Sequence, residues 1–281
     1  MKIYRQGRTV YVHHWDQWFR TETDHWDVLI NRKGLHGLLE SELARYDKFD
    51  GAPFGVDDPL DPPAVGQEIW AAGVTYFRSR EARMEESKDA GGGSFYDKVY
   101  HADRPELFFK AVAYRCSGHG GEVRIRRDSD WNVPEPELTL FICSEGTIEG
   151  YTVGNDMSSR SIEGENPLYL PQAKSYDRSA ALGPCVSAIP GGIDPQARIT
   201  LRILRNGLVA FENSIGIDQM KRKHEELAGY LFRECSFPNG VFLMTGTGIV
   251  PPDHFTLEAG DVTEITIDGI GTLSNSVNHR S

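Results

Sequence analysis

Residues 134–156 have the sequence PEPELTLFICSEGTIEGYTVGND, in which two apolar runs flank a Glu-Gly pair at 145–146. A two-residue loop with glycine in its second position is typical of a tight β-hairpin, because glycine tolerates the positive φ needed there. With that loop, Glu135 lies opposite Asp156 on the neighbouring strand. Side chains alternate along a strand, so Glu137 shares the face of Glu135. The sequence therefore predicts a hairpin that brings three carboxylates together on one face.

Three carboxylates this close together repel one another strongly in a partly buried site. They either take up protons or hold a cation, and an all-oxygen set of ligands favours a hard ion, Mg²⁺ first and then Mn²⁺ or Ca²⁺. The alternative is a surface strand with ordinary solvated acids. A register shift of one residue would separate the carboxylates, so the pattern alone leaves both interpretations open.

The composition limits the classes of function. The chain has 281 residues and is 39% hydrophobic, which is enough for one large domain or for a large and a small one. Its formal net charge of -11 predicts an acidic surface that repels phosphate backbones, so we expect no nucleic-acid partner. No apolar run approaches the roughly 18 residues of a membrane span. The N-terminus also lacks the apolar core of a signal peptide.

The four cysteines are scattered along the chain and form no CxxC pair. Each lies in or near an apolar stretch, which favours reduced, mostly buried thiols and therefore a cytoplasmic protein. Cys116 and His119 resemble half of a zinc site, but the sequence contains no second half.

Turn and periodicity signals divide the chain. A loop rich in Pro, Gly and Asp over 49–66 predicts a boundary between a small N-terminal domain, residues 1–65, and a larger domain, residues 66–281. Further predicted elements are a hairpin over 2–14, helices over 35–46, 79–89 and 218–234, a flexible stretch at 90–94, a strand over 104–114 and a hairpin around Asn206-Gly207. Because strand patterns dominate the larger domain, we predict a β-rich α+β fold with a roll-like or barrel-like core.

Two charged residues and one glycine-rich segment are further candidates for a functional site. Lys174 lies in a polar and aromatic stretch, and a lysine near a metal and apolar groups can move protons. Without other information it is more typical of an exposed surface lysine, and Glu106 is likewise typical of a surface acid. The segment TGTGIV, 245–250, offers N–H groups and hydroxyls that suit a carboxylate, although a plain strand end has the same pattern.

Several segments together are more specific than any one of them. PELFFKA, PEPELTLFI, GYTVGNDMSSR, AKSYD, LGP and TGTGIV occur in this order and resemble the fumarylacetoacetate hydrolase superfamily over roughly residues 70–275. The resemblance implies a catalytic domain made of a mixed β-roll, in a homodimer or a higher homo-oligomer such as a homotetramer. It also implies that Glu135, Glu137 and Asp156 hold a divalent ion, Mg²⁺ above all.

One motif of the superfamily is altered in this chain. Its hydrolases carry a pattern like N-Y-x-x-H-x-x-E, whose His and Glu activate water, but the matching stretch here is GVTYFRSREARMEES. Ser79 or a neighbour stands at the histidine position, and no histidine lies between His36 and His101. TYFRSRE, RCSGHG and EGENPLYLPQAK are instead similar to the 2-keto-3-deoxy-D-arabinonate dehydratase branch. In that branch Glu106 and Lys174 match the functional positions beside the metal ligands.

The resemblance to this branch implies a small-molecule keto-acid substrate, a 2-keto-3-deoxy-pentonate, that is dehydrated to 2,5-dioxopentanoate. Lys174 is the expected base at C3 and Glu106 the expected acid that assists loss of the C4 hydroxyl, although the reverse assignment is open. The side chains expected to orient the substrate are Ser79, Arg80, Arg160 and Thr247. Two alternatives remain: an acylpyruvate hydrolase or decarboxylase on the same Mg²⁺ scaffold, and a non-catalytic sugar-acid-binding protein.

Overall fold

The computed structural model describes residues 1–86 and 93–279, and strands predominate in them. The strands are β1 (Lys2–Gln6), β2 (Thr9–His14), β3 (Gln17–Glu22), β4 (Asp47–Phe49), β5 (Glu68–Gly73), β6 (Glu106–Val112), β7 (Cys116–Ser117), β8 (Glu122–Ile125), β9 (Asn132–Val133), β10 (Pro136–Ile142), β11 (Ile148–Asp156), β12 (Ser158–Ser159), β13 (Ala180–Ser187), β14 (Arg198–Arg205), β15 (Leu208–Gly216), β16 (Val241–Met244), β17 (Val262–Ile267) and β18 (Gly271–His279). The helices are α1 (Trp26–Ile30), α2 (Leu35–Glu42), α3 (Phe77–Glu86), α4 (Gly93–His101), α5 (Arg160–Glu165), α6 (Leu170–Lys174) and α7 (His224–Leu231).

The larger sheet is mixed and has the strand order β4-β3-β2-β1-β13-β11-β10-β16-β5-β6, with β7 paired to β13. Most neighbours are antiparallel, but β16 pairs with β5 in parallel and β13 pairs with β7 in parallel. Because β1 pairs with β13, the N-terminal strands extend the same sheet. The division of the chain into domains at residues 65 and 66 stays a prediction.

A smaller sheet, in the order β15-β14-β17-β18-β8, packs against one face of the larger sheet. The main hydrophobic core lies between them and includes Leu138 and Val153 from the larger sheet and Leu201, Ile265 and Leu273 from the smaller one. The β-rich α+β fold predicted from the sequence is therefore confirmed. Two packed sheets leave the β10–β11 hairpin in the middle of the molecule.

Helices α1 and α2 cover the opposite face of the larger sheet. Ile30, Leu35 and Leu39 belong to a second core cluster with Phe141 of β10 and Phe242 of β16. Every residue of β10 is buried, because the strand carries packed layers on both faces. A strand covered on both sides accepts a nearly continuous apolar run, so a carboxylate within it needs a specific partner.

The hairpin of β10 and β11 has the register predicted from the sequence. Glu137 pairs with Gly154, and the amide of Asp156 donates to the carbonyl of Glu135 over 2.9 Å. Glu135, Glu137 and Asp156 therefore meet at one end of the hairpin, as the alternation of side chains requires.

The loop of this hairpin differs from the prediction. It has three residues, 144–146, and is closed by a hydrogen bond from the Cys143 amide to the Thr147 carbonyl. One unpaired residue in β11, Glu149, forms a bulge that shifts the register back by one residue. The longer loop and the bulge offset each other, so the strands pair in the predicted register although the predicted loop length was wrong.

The hairpin predicted around Asn206-Gly207 forms between β14 and β15, and both loop residues have the positive φ that a tight turn of this kind needs. The helix predicted over 218–234 is shorter and is limited to α7. Ile217–Gln219 form a short 3₁₀ helix, and Met220, which has an extended backbone and forms a bridge with Tyr76, separates it from α7.

The helix predicted over 79–89 corresponds to α3, which is described as far as Glu86. Residues 87–92 lie outside the described residues, and most of the stretch predicted to be flexible, 90–94, falls there. Of the helices in the described part of the chain, none has the length and apolar character needed to cross a membrane.

Candidate metal centre and active site

The three predicted carboxylates form one buried cluster. Glu135, Glu137 and Asp156 are 4%, 1% and 1% exposed, and one carboxylate oxygen from each lies within 4.8 Å of the others. They are therefore not solvated surface acids. Three anions in such a place require cations or donors close by.

Glu137 is held by the backbone of the segment that follows β16. The Gly246 amide donates to Glu137 Oε2 over 2.5 Å. Gly246 has a φ of +93°, and a Cβ there would lie 2.1 Å from Thr75 Oγ1. Only glycine permits this backbone to approach so closely, so the glycine-rich segment 245–250 supplies the N–H donor expected of it, although to a carboxylate of the protein itself.

Burial raises the pKa of both Glu137 and Asp156, but their charged neighbours act in opposite directions. The pKa of Glu137 is raised well above its ordinary value by burial, and then by the charges of Asp156 and Glu135. Burial also opposes ionisation of Asp156, but the ammonium groups of Lys110 and Lys174 outweigh it and lower the pKa of Asp156. Asp156 is thus an anion with two cationic partners, whereas an additional cation beside Glu137 would relieve strong repulsion.

Lys174 is fully buried and lies at the centre of the cluster. It is the last residue of α6, and its Nζ donates to Glu135 Oε2 over 2.7 Å and to Asp156 Oδ2 over 3.2 Å. An ordinary surface lysine would not have this environment, because the ammonium is excluded from water. The structure therefore brings Lys174 to the three carboxylates.

Arg160 lies on the other side of Glu135. It begins α5, is 2% exposed, and its guanidinium donates to Glu135 Oε1 over 2.9 Å. The two oxygens of Glu135 thus contact two different cations, Arg160 and Lys174. Sequence reasoning placed Arg160 at the substrate and did not anticipate this contact.

A second buried lysine, Lys110, was missed by the sequence analysis. It is 0% exposed in β6, and its Nζ lies 2.6 Å from Asp156 Oδ1. Burial lowers the pKa of Lys110, while the charge of Asp156 acts in the opposite direction. The available signal was a lysine in the middle of the apolar run FFKAVA, where a charge is rare without a partner.

A small cavity lies beside the carboxylates. Its lining includes Glu135, Asp156, Arg160, Ser79 and Thr247. These side chains come from four separated parts of the sequence and are positioned by the strand ends and by α3 and α5. The cavity is small, about 10 Å³, and it brings these side chains together around one space beside the carboxylates.

The hydroxyls of the cavity have partners within the protein. Ser79 Oγ donates to the Tyr76 carbonyl over 2.8 Å, and the Tyr76 amide lies 3.3 Å from Ser79 Oγ at the start of α3. Thr247 Oγ1 lies 3.2 Å from both the carbonyl and the amide of Ile249. The side chain of Arg80 is outside the described part of the structure.

Glu106 lies at the edge of this cavity. It is half-buried at the start of β6 and pairs with Gly73, which lines the cavity. A Cβ on Gly73 would lie 2.0 Å from Glu106 Oε2, so the absence of a side chain at Gly73 makes room for the carboxylate. The structure therefore places Glu106 against the cavity wall.

The donor set of the cluster fits a hard divalent cation. The three candidate ligands are carboxylates, they converge within 4.8 Å, and they are buried where their charges repel. Oxygen ligands of this kind suit Mg²⁺, Mn²⁺ or Ca²⁺ rather than Zn²⁺ or copper. A divalent ion held here would lie beside the cavity lined by Glu135 and Asp156, and close to Lys174, which contacts both carboxylates.

Comparisons with known proteins agree with this arrangement. The family model for the fumarylacetoacetate (FAA) hydrolase C-terminal region matches residues 69–278. A probable 2-keto-3-deoxyxylonate dehydratase from Haloferax volcanii is 49% identical over 223 residues, which cover 79% of this chain and 76% of that protein. A 2-dehydro-3-deoxy-D-arabinonate dehydratase from Saccharolobus solfataricus is 45% identical over 227 residues, covering 80% of this chain and 75% of that protein.

Solved structures show the same fold. A 2-keto-3-deoxy-D-arabinonate dehydratase complexed with magnesium and 2,5-dioxopentanoate superimposes with a TM-score of 0.81 at 37% identity, covering 99% of this chain and 98% of that one. Because the family model spans most of this chain and the relatives match along most of their own length, the protein belongs to the fumarylacetoacetate hydrolase family.

Proposed function

We propose that this protein is a hydro-lyase that removes water from a 2-keto-3-deoxy-pentonate, such as 2-dehydro-3-deoxy-D-arabinonate, to give 2,5-dioxopentanoate, with Mg²⁺ as cofactor. The observation that carries the proposal is a fully buried lysine, Lys174, in contact with two members of a carboxylate cluster. Support comes from the names of the two dehydratases to which the chain is 49% and 45% identical. The reaction belongs to the breakdown of pentoses.

Glu135, Glu137 and Asp156 are the residues that would hold the metal. When bound, a divalent ion supplies a Lewis acid that draws electron density from the C2 carbonyl of a 2-keto acid. Three buried carboxylates at one end of a rigid hairpin supply fixed ligands, because β10 and β11 are covered on both faces. Gly246 and Arg160 hold two of them in place through the contacts described above.

Lys174 is our candidate for the base at C3. A C3 proton next to a 2-keto group is acidic enough to be removed by a positioned amine, and Lys174 becomes such an amine once its ammonium has given up a proton. The electron pair left at C3 forms the C3–C4 double bond as the C4 hydroxyl leaves. Glu106, in its protonated form, gives a proton to that hydroxyl, which departs as water.

A second proton transfer completes the product. The unsaturated keto acid still carries a hydroxyl on C5, so a base must remove a C5 proton while C3 receives one, and the resulting enol becomes the aldehyde of 2,5-dioxopentanoate. One base close to both carbons can serve both steps. Lys174 is suited to this role because it enters the cluster from the end of α6 and lies at its centre.

We expect Ser79, Arg80, Arg160 and Thr247 to orient the substrate. Ser79, Arg160 and Thr247 line the cavity, which supports this expectation. Arg160 also contacts Glu135, so it would link the substrate's position to that of a metal ligand. Ser79 occupies the region where hydrolases of the family carry their water-activating histidine, which favours a reaction that does not use water as a nucleophile.

The test is product identification with a panel of substrates. Purified protein with Mg²⁺ is incubated with 2-keto-3-deoxy-pentonates of both C4 configurations and with acylpyruvates, and the products are separated by liquid chromatography. A dehydratase produces a semialdehyde from a pentonate and leaves acylpyruvates intact. Pyruvate and a carboxylic acid formed from an acylpyruvate would instead identify a hydrolase.

We further propose a cytoplasmic, homo-oligomeric enzyme without nucleic-acid or membrane partners. Its four cysteines are free, three of them buried, as reduced thiols are in the cytoplasm. The homodimer or homotetramer is an expectation from the family resemblance. Light scattering coupled to size-exclusion chromatography measures the mass of the particle in solution, and a mass near 31.4 kDa, that of one chain, would contradict a homo-oligomer.

A further inference from the structure

Lys110 makes three polar contacts and is enclosed by protein on every side. Its Nζ lies 2.6 Å from Asp156 Oδ1, donates to the Met157 carbonyl over 2.9 Å, and donates to the Lys174 carbonyl. The ammonium donates to the two carbonyls and forms an ion pair with Asp156 Oδ1. Asp156 is a proposed metal ligand, Met157 follows it directly, and Lys174 is the proposed base.

These contacts join three separate elements. Lys110 is in β6, Asp156 ends β11, and Lys174 ends α6. The carbonyl of Lys174 is at a helix C-terminus, where backbone carbonyls lack partners within the helix and a cation is favourable. In the described part of the chain, the lining of the cavity includes Asp156 but not Lys110. Lys110 therefore contacts the cavity-lining Asp156 without lining the cavity itself.

We infer that Lys110 is a positioning residue that fixes the carboxylate of Asp156 and the backbone of Lys174 relative to each other. The inference rests on the proposed function for the role of Lys174, and on the proposed metal site for the role of Asp156. Lys110 contacts Oδ1 of Asp156, whereas Lys174 contacts Oδ2, so Lys110 determines which oxygen faces the rest of the cluster.

Positioning and simple charge compensation make opposite predictions for metal affinity. If Lys110 only supplies positive charge, its removal leaves the carboxylates more negative and a divalent cation binds more tightly. If Lys110 positions Asp156, its removal loosens a metal ligand and the cation binds more weakly. Groups that orient a metal ligand typically contribute about ten- to a hundredfold to metal affinity.

The test is calorimetric titration of metal-free protein with Mn²⁺ for wild type, Lys110→Met and Lys174→Met. Lys174→Met is the matched control, because it removes an ammonium from the same carboxylates and leaves Lys110 in place. We expect Lys110→Met to bind Mn²⁺ about tenfold more weakly than wild type, and Lys174→Met to bind it as tightly or more tightly. Unchanged or tighter binding by Lys110→Met would overturn the inference.

Folding of each variant is checked by circular dichroism and thermal melting. If Lys110→Met does not fold, Lys110→Gln, which keeps two N–H donors and loses the charge, is titrated in its place with the same two outcomes. A wild-type protein that binds no Mn²⁺ would remove the metal site and the positioning role with it.

The second half of the test is a double-mutant cycle in the dehydration assay. If Lys110 acts through Lys174, Lys110→Met lowers kcat at saturating Mg²⁺ in the wild-type background but has little further effect on kcat in Lys174→Met, because saturation offsets the weaker metal binding that comes through Asp156. Equal losses in both backgrounds would contradict the inference. If the wild-type protein does not dehydrate the substrate, the proposed function is contradicted but the positioning role of Lys110 is not, because the Mn²⁺ titration tests that role separately.

Discussion

The Nζ of Lys174 lies 2.7 Å from Glu135 Oε2, and this ion pair is buried. Glu135 is also one of the three carboxylates suited to a metal ion. The proposed base therefore shares a side chain with the proposed metal site, and proton transfer and metal binding take place in one cluster. Substitutions can separate proton transfer from metal binding, because the amine of Lys174 is not a ligand that a hard cation prefers.

Lys174→Met removes the proton acceptor and keeps much of the length of the side chain. We expect kcat to fall about a hundredfold or more, the usual contribution of a positioned base, with Mg²⁺ binding retained. Exchange of the C3 protons of 2-oxobutyrate into D₂O, followed by NMR, should stop, because this analogue has no C4 hydroxyl and reports proton abstraction alone. Lys33→Met, an exposed lysine, is the control. Normal exchange in Lys174→Met would exclude it as the base.

Glu106→Gln should behave differently from Lys174→Met. The amide cannot donate the proton that the C4 hydroxyl needs, so dehydration should be lost while C3 exchange of 2-oxobutyrate continues. Glu68→Gln, at the other end of the β5–β6 pair, is the matched control. If Glu106→Gln stops exchange and Lys174→Met does not, the roles of acid and base are reversed.

Gly73→Ala tests the placement of Glu106 without changing its chemistry. The added methyl group would lie 2.0 Å from Glu106 Oε2 and must displace that carboxylate. Because the carboxylate is the end of a flexible side chain, we expect little change in melting temperature but a loss of kcat of about ten- to a hundredfold. Gly37→Ala, where nothing lies within 4 Å of the new Cβ, should leave kcat unchanged. Full activity of Gly73→Ala would mean that the position of Glu106 is unimportant.

Glu137→Gln and Glu135→Gln should have opposite effects on the metal-free protein. The pKa of Glu137 is raised in the fold, first by burial, so the folded state loses stability as the pH rises above about 4.5, the ordinary value for glutamate. Glu137→Gln removes this pH-dependent loss of stability, and its side-chain carbonyl still accepts a hydrogen bond from the Gly246 amide. The melting temperature in EDTA should therefore rise by roughly 2 °C at pH 7, with no gain at about pH 4.

Glu135→Gln takes a carboxylate away from two buried cations, Lys174 and Arg160. Removing one partner of a buried ion pair costs about 3 kcal/mol or more, so this variant should melt at a lower temperature in EDTA. Both variants should bind Mg²⁺ more weakly than wild type. Equal melting temperatures for the two variants would contradict the assignment of different partners to Glu135 and Glu137.

The face shared by Glu135 and Glu137 was predictable from strand alternation, and the place of the turn was predictable from Gly146. The loop length was not predictable. No pattern in the sequence indicates the three-residue loop over 144–146 or the bulge at Glu149, and their effects on the strand pairing offset each other. Likewise, α7 begins at His224 and not at residue 218, since the bridge between Met220 and Tyr76, which only the tertiary fold creates, interrupts the helical pattern.

The carboxylates of the site were predictable from local pairing, but the cations were only partly so. Lys174 reaches the cluster from a short helix whose direction no local pattern determines. Lys110 belongs to β6, four strands from β11 by way of β5, β16 and β10 in the larger sheet, so its contact with Asp156 depends on how the sheet curves. Contacts between elements that are distant along the chain are the hardest to predict from a single sequence.

The most direct test follows 2-keto-3-deoxy-D-arabinonate by ¹H NMR with the wild-type protein, in Mg²⁺ and then in EDTA. We predict one molecule of 2,5-dioxopentanoate for each molecule of substrate in Mg²⁺, no conversion in EDTA, and recovery when Mg²⁺ is restored. Conversion of the substrate to pyruvate and glycolaldehyde, or full formation of 2,5-dioxopentanoate in EDTA, would contradict a metal-dependent dehydration at this site.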